Sequence, residues 1–479
     1  MLNRSLTSPV RVLLCALLAY ASILPFAPSR AAAQVSAQPS TRILLGGNLV
    51  TPDGVIPHAW LDIVDGRILH IERLQPSLPG VPVLETNDLI FPGFIDLHNH
   101  PVFNVFPRWS PPQKFADRYQ WRDLDAYKAI LETPEHALMA DGSAFCDVDE
   151  YVEIKALVGG TTSMIGFSGR EPRPDCIKGL IRNLDVYTGF YGAEQGHERI
   201  VNSIGILPRD MDANTAAHYA QGIKDGSIDL LAIHIAEGLP TDAESAQELD
   251  LLEAHGLLTP HTALIHSVGL SPSQLARVHR AGASIVWSPR SNFELYGATA
   301  NVAAAFREGV TMALAPDWSP SGSDNMYDEI RYAGAVSRDQ LNSLFSSRQL
   351  VEMASSIPAR IAHIDDKVGT LAVGMDADLF LLPTGEASQL SDPYRAITGG
   401  TISAIDLVMI GGVPLYGDPG LLHKLNIKTQ PLSICGAAKA LNADALPAGP
   451  FAQVESRLKE KMKTAGASLA PLAECADAQ

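Results

Sequence analysis

Cysteine is scarce in this chain. There are five in 479 residues and no Cys-x-x-Cys pair, so a cysteine-held zinc site and a dithiol redox motif are excluded. The His-x-Glu and Pro-Cys-x-x-Cys pattern of the zinc enzymes that act on flipped bases is missing as well. No Gly-x-Gly-x-x-Gly follows a candidate strand, so nothing marks a dinucleotide site. Basic residues are outnumbered: 36 Lys and Arg stand against 53 Asp and Glu, for a formal charge of −17. Phosphate binding needs a basic face, and the balance therefore argues against nucleic acid as a partner. The acidity itself reports on solubility rather than on a substrate. Internal repeats are absent.

Long apolar runs are missing too. The one that stands out, Val12 to Phe26, is too short and too poorly flanked for a membrane span. Arg4 and Arg11 precede it, and Ala31-Ala32-Ala33 follows before Gln34. That order of charge, apolar core and small residues is a secretory signal over residues 1–33; an uncleaved amino-terminal anchor is the competing reading. The remaining chain is expected to be exported, to a periplasm or beyond, with no membrane span. Cys15 leaves with the signal. Cys146, Cys176, Cys435 and Cys475 remain, an even set suited to an oxidising compartment. Proximity in sequence favours Cys146–Cys176 and Cys435–Cys475, with buried free thiols as the alternative.

The composition of 46% hydrophobic and 19% charged residues fits a globular enzyme, and the length exceeds one small core. Arg42–Gly46, Trp60–Val64 and Arg67–Ile71 read as short strands, with Asp65-Gly66 as a hairpin turn. Similar strand-like, turn-rich stretches recur near the other end, at Gly369–Leu382 and Ala404–Ile410. Between them, apolar strands beginning near Phe94, Thr161, Asp185, Ile200, Asp229, Thr262, Ala283 and Val310 alternate with helical stretches such as Ala213–Lys224, Asp242–His255 and Ser271–Ala281. Alternation implies a parallel sheet, and about eight repeats suggest a (β/α)8 barrel; a doubly wound open sheet is the runner-up. The expected organisation is a first part of a β-domain over 41–90, a barrel over 91–363, the second part of the β-domain over 364–417, and a C-terminal extension over 418–479. That extension is read as carrying no chemistry, with an exposed helix at Phe451–Thr464. The segment Val102–Asp149 is an aromatic-rich insertion, either a pocket wall or a packed decoration.

The chemistry gathers at strand ends. In Phe94-Ile95-Asp96-Leu97-His98-Asn99-His100, the two histidines fall two residues apart on an extended backbone and point to one side. Leu230 to Glu237 ends in His234-x-x-Glu237, Ala263 to His266 ends in histidine, and Met312 to Asp317 ends in aspartate. In a parallel barrel these ends share one rim. Three or four such donors around one open position suit a divalent ion, zinc first and iron second, which lowers the pKa of a water to about 7. Asp317 would bind the ion and accept a proton from that water. Glu237 would protonate a leaving nitrogen, and His266 would polarise the scissile group.

At these residues the chain resembles the amidohydrolase superfamily, in the branch containing cytosine deaminase, S-adenosylhomocysteine deaminase and the triazine hydrolases. The resemblance runs from Arg42 to Tyr416. It rests on Pro-Gly-Phe-Ile-Asp-Leu-His-Asn-His (92–100), Gly-Gly-Thr-Thr (159–162), His-Ile-Ala-Glu (234–237), His266, Ser-Pro-Arg-Ser-Asn (288–292), Asp317 and Val-Gly-Thr-Leu…Gly-Met-Asp-Ala-Asp-Leu (368–379). It implies a distorted TIM barrel beside a small β-sandwich built from both ends of the chain. It also implies a mononuclear centre held by His98, His100, His234 and Asp317, with Glu237 and His266 acting on water and substrate. The reaction expected is hydrolysis of a C–N bond in a small molecule, of deaminase or amidase type. Three departures are visible. No lysine lies at Ile200–Ile206 to bridge two metals, and Lys155, the nearest, reads as a surface residue. Ala315-Pro316-Asp317-Trp318 replaces the usual Gly-Thr-Asp. Arg290 stands where relatives carry a small or uncharged residue, so it either meets a carboxylate on the substrate or pairs with Glu294. Arg290, Asn292, Trp109 and Trp318 are the candidate substrate contacts. A dinuclear peptidase- or lactonase-like hydrolase and a non-catalytic periplasmic binding protein remain as alternatives. A homo-oligomer is compatible with the sequence.

Overall fold

Asp65 and Gly66 turn the chain with φ of 49° and 83°, a left-handed pair that matches the twist of the strands it joins. In the computed structural model, residues 41–167, 180–186, 201–385 and 390–475 are described. The expected signal segment and Cys176 lie outside them. The turn connects β2 (Gly54–Val64) to β3 (Arg67–Glu72), while β2 also pairs antiparallel with β1 (Arg42–Thr51). A further strand, β4 (Val83–Pro92), runs parallel to β1.

After β4 the chain leaves for the barrel. Gly93 marks the exit: a Cβ there would meet the Thr162 side chain at 2.2 Å, so only glycine allows this approach. Eight parallel strands follow: β5 (Phe94–Asp96), β6 (Thr161–Met164), β7 (Arg182–Asn183), β8 (Val201–Ile204), β9 (Leu230–Ile235), β10 (Thr262–His266), β11 (Ser284–Trp287) and β12 (Thr311–Leu314). Most begin within a residue of where the apolar pattern puts them. The exception is β7, expected from Asp185. Val201 N donates to Leu184 O at 2.9 Å, which carries the ring across from β7 to β8. On the far side Asp317 N donates to His98 O at 3.2 Å and His100 N to Asp317 O at 2.8 Å, so first and last strands meet. The result is a distorted (β/α)8 barrel.

Strands β5 and β9 to β12 are largely apolar on both faces because both faces are buried. Ile95, Leu97, Ile165, Leu230, Ala232, Ile265 and Val286 fill the lumen, while Phe94, Leu231, Ile233, Leu264, Ile285 and Trp287 pack outward on the helices. Each such side chain contributes roughly 1.5–3 kcal/mol. Helices Ala213–Asp225, Ala243–Ala254 and Pro272–Ala281 lie where their periodicity predicts. Ser271 and Gln274 form a capping box on the last of them.

From the barrel the chain returns to the first sheet. β13 (Leu379–Leu382) pairs antiparallel with β4, and β14 (Leu407–Ile410) and β15 (Val413–Gly417) follow outward. The sheet does not stop at residue 417. β16 (Thr429–Ile434) and β17 (Ala437–Asn442) continue it, for the order β16-β17-β15-β14-β13-β4-β1-β2-β3. The last four residues of β17, Lys439 to Asn442, are buried, and Lys439 Nζ donates to Ile405 O at 2.8 Å, so this strand belongs to the sheet although its sequence shows no apolar alternation.

The helix Phe451–Thr464 also departs from expectation. Phe451, Val454, Leu458 and Met462 form a buried stripe against Phe145–Leu157, and Tyr151 stacks on Phe451 at 6.0 Å. Its charged face had concealed an apolar one at helical spacing. Beyond it, Cys475 is disulfide-bonded to Cys435. Cys146 is disulfide-bonded too. Among the described residues no helix is long and apolar enough to cross a membrane.

Candidate active site

His98 and His100 leave β5 together, and the backbone bond to Asp317 fixes both at the barrel mouth. His98 is 1% exposed, and its Nε2 lies 2.9 Å from Asp317 Oδ1; His100 Nε2 lies 3.6 Å from the same oxygen. The rings of His98 and His234 are 4.7 Å apart, and those of His98 and His266 are 4.9 Å apart. Two sets of donors converge to within 4.8 Å of one another: His98, His234 and His266, and His98, His100 and Asp317. His98 Nε2 is buried without a hydrogen-bond partner. A buried, unsatisfied imidazole nitrogen facing a carboxylate and two further imidazoles fits a divalent cation.

Protonation states suit that role. Burial pushes the pKa of His98 down, that of His100 down to about 3, and that of His234 well below its usual value. These imidazoles are therefore neutral, the form that ligates. Burial works against the charge on Asp317, but the imidazoles packed around it, His98 foremost, hold the carboxyl below its ordinary range.

A second layer holds these groups. Asp96 Oδ1 accepts from His98 N at 3.0 Å and Oδ2 from Asn99 Nδ2 at 2.6 Å. Asn99 Oδ1 accepts from Asn104 Nδ2 at 2.9 Å, and Asn104 O accepts from Lys155 Nζ at 3.1 Å. Lys155 is thus a correction to its reading as a surface residue. It is 1% exposed and pairs with Asp324 at 2.9 Å, which is how a buried ammonium is tolerated.

The short helix Pro289–Tyr296 supplies three further contacts. Ser291 Oγ donates to Asp317 Oδ2 at 2.6 Å, Asn292 Oδ1 accepts from His266 Nδ1 at 2.9 Å, and Tyr296 Oη donates to Glu237 Oε1 at 2.7 Å. With its Nδ1 proton committed to Asn292, His266 turns a lone pair on Nε2 toward the centre. That Nε2 stands 3.8 Å from Glu237 Oε1. Trp121 Nε1 donates to Tyr296 Oη at 2.9 Å and completes the chain.

Backbone strain gathers at the same rim. Ala236, His266, Ser267 and Asp317 have φ between 48° and 70°, where a side chain costs on the order of 1 kcal/mol or more. The hydrogen bonds around them hold these turns in place.

A cavity of about 360 Å³ opens over the centre. His100, His234, Glu237, His266 and Asp317 form its floor, and Phe103, Trp121, Tyr127 and Trp318 line its sides. The insertion is therefore both wall and packed core. Arg118 also lines the cavity, with Nη1 3.5 Å from Glu237 Oε2.

Not every expected contact faces this space. Arg290 does not line the cavity. Its Nη2 pairs with Glu474 Oε2 at 2.9 Å, and Glu294 pairs instead with Lys114. The acid that claims Arg290 comes from the far end of the chain, which adjacency in sequence did not suggest. Trp109 is also off the cavity, buried against Phe115, Trp121 and Tyr127. Asn292 does not line the cavity and instead accepts from His266. Trp318 does line the cavity. Arg118, Tyr296 and Ser291 were not singled out as functional from the sequence. The Ser-Pro-Arg-Ser-Asn stretch pointed to the helix that carries two of them; nothing local pointed to Arg118.

A barrel with this constellation at its mouth defines a class of metal-dependent hydrolases acting on C–N bonds. The model of the amidohydrolase family matches residues 206–415. A 5-methylthioadenosine/S-adenosylhomocysteine deaminase of Halobacterium salinarum is 32% identical over 376 residues, covering 68% of this chain and 82% of that one. One from Desulforudis audaxviator is 30% identical over 364 residues, covering 68% and 83%. A mutant of atrazine chlorohydrolase TrzN from Arthrobacter aurescens, complexed with zinc and atraton, superposes with a TM-score of 0.62 at 18% identity, over 78% of this chain and 95% of that one. The chain belongs to the amidohydrolase family.

Proposed function

We propose that this protein is an exported hydrolase that displaces nitrogen from a small organic molecule with water, using one divalent cation, zinc by preference. The observation that carries the reading is the meeting of His98, His100, His234 and Asp317 beneath the cavity, with Glu237 and His266 beside them. Both donor sets include His98, which favours a single shared cation over two. A zinc ion held there supplies acidity, bringing a coordinated water to a pKa of about 7.

The chain's own groups supply the rest. Glu237 Oε1 is occupied by Tyr296, so Oε2 is the oxygen that takes a proton from water and delivers it to the leaving nitrogen. His266 Nε2 takes the second proton of the attacking water and, so protonated, donates a hydrogen bond to the oxygen forming at the scissile carbon. Asp317 is held ionised by His98, and Ser291 fixes its Oδ2. Phe103, Trp121, Tyr127 and Trp318 form an apolar wall suited to a flat ring. The relatives named as deaminases support ammonia as the leaving group.

Export rests on the composition of residues 1–33 and is supported by the Cys435–Cys475 disulfide, which fits an oxidising compartment. The test is ammonia release by the zinc-loaded protein from amino-heterocycles, amides and ureas, with metal content measured on the same sample. Ammonia from an amino-heterocycle with about one metal per chain is the expected result. Free amines without ammonia would move the assignment to amidase, and two metals per chain would overturn the single-cation centre.

A further inference from the structure

Arg118 is 9% exposed, its Nη1 is buried without a hydrogen-bond partner, and it lines the cavity. Its nearest carboxylate oxygen, Glu237 Oε2, is 3.5 Å away, an ion pair without a hydrogen bond. A desolvated guanidinium presents donors in a fixed planar fork, and leaving them unmatched is unfavourable. The acceptor that fits such a fork is a carboxylate.

Its position is built rather than incidental. Arg118 N donates to Glu237 O at 3.1 Å, Leu239 N donates to Ala116 O at 2.7 Å, and Asp117 bridges to Gly238. The Asp117 side chain caps the helix Arg118–Arg122 by accepting from Tyr119 N and Gln120 N. Arg122, four residues on, is exposed and lines the same cavity. Glu132 and Glu135 line it as well, with Glu135 facing His136 at 3.7 Å.

We propose that the substrate carries a carboxylate close to the scissile C–N bond and that Arg118 is the residue that selects it. The inference rests on the hydrolase reading above. Glu237 Oε2 serves the leaving nitrogen, and Arg118 flanks that oxygen. A carboxylate seated on Arg118 therefore lies next to that nitrogen. N-acyl α-amino acids and amino-heterocycles with a neighbouring carboxylate have this arrangement. Arg118 has donors enough to hold this carboxylate while remaining the counter-ion of Glu237. Arg122 adds a longer-range attraction at the mouth, screened by salt.

The test is calorimetric binding to the zinc-loaded protein, with hippurate against hippuramide and benzoate against benzamide. Wild type is expected to bind each carboxylate roughly tenfold tighter than its amide. Taken as the ratio of acid to amide affinity within each variant, the preference should be lost in R118M, kept in part in R118K, and reduced a few-fold in R122Q, less at high salt. A preference that persists in R118M means the carboxylate is held by the cation and overturns the proposal. So does a wild type that ranks acid and amide equally. Metal content and circular dichroism of R118M report its folding; should it fail to fold, R118K decides, because it keeps the charge and removes the fork. Binding needs no turnover. An intact carboxylate preference with no C–N hydrolysis would therefore sink the hydrolase reading and leave this one standing.

Discussion

Tyr296 Oη donates to Glu237 Oε1 at 2.7 Å and leaves Oε2 without a hydrogen bond, 3.5 Å from Arg118 Nη1. In the mechanism we propose, that bond selects which oxygen handles protons. Tyr296→Phe should lower kcat by about tenfold, the worth of one hydrogen bond to a charged group, while KM changes less than about twofold. Steady-state kinetics check this. An equal rise in KM would mean that the hydroxyl shapes the cavity instead.

Glu237→Gln removes the proton carrier but keeps the shape. Turnover should fall by about 10²- to 10⁴-fold while the metal content, measured by atomic emission, stays that of the wild type. Unchanged turnover would take Glu237 out of the mechanism.

Chelation should abolish activity, and about one equivalent of zinc should restore it. The same treatment should lower the melting temperature, since a cation that binds only the folded chain stabilises it by about 4 kcal/mol at a thousandfold excess over Kd. His98→Ala and Asp317→Asn should each lose metal, whereas Asn292→Ala should keep metal and lose activity, because it frees His266 to turn.

Glu150 yields a pH prediction away from the centre. Burial raises its carboxyl to about 7, and Oε1 has no partner. The folded state then binds a proton that the unfolded state releases at the ordinary carboxylate value. Its contribution to stability is full below that value and is lost as pH rises through about 7. Glu150→Gln should match wild type in melting temperature at pH 5 and exceed it at pH 8.5. Equal curves at both pH values would show that the site is hydrated.

The disulfide Cys435–Cys475 closes 40 residues, which in the chain-entropy estimate contributes about 4 kcal/mol. Cys475→Ser should lower the denaturation midpoint accordingly. It should also loosen Glu474, whose carboxylate meets Arg108 at 2.7 Å and Arg290 at 2.9 Å.

The convergence of the strand-end residues was legible because a parallel barrel converts chain order into a common rim. His98, His234, His266 and Asp317 each close an apolar run, and a local pattern suffices to see that. Arg290 was misread for the opposite reason: its partner Glu474 lies 184 residues away, and electrostatics between distant segments leaves no periodic trace. Arg118 was invisible on the same ground, since the Val102–Asp149 excursion has no single period from which its path could be read. The positive φ of His266 and Asp317 was hidden as well, because no glycine announces it. The added strands at Thr429–Asn442 are short and half exposed, which weakens the alternation that would have revealed them.

One eight-residue helix, Pro289–Tyr296, touches Asp317, His266 and Glu237 at once. Substitutions along it should therefore be strongly epistatic, since each shifts the common mount of three reacting groups. An effort to retrain this enzyme toward new compounds would do better to randomise Phe103, Arg122 and Tyr127 on the excursion and leave that helix untouched.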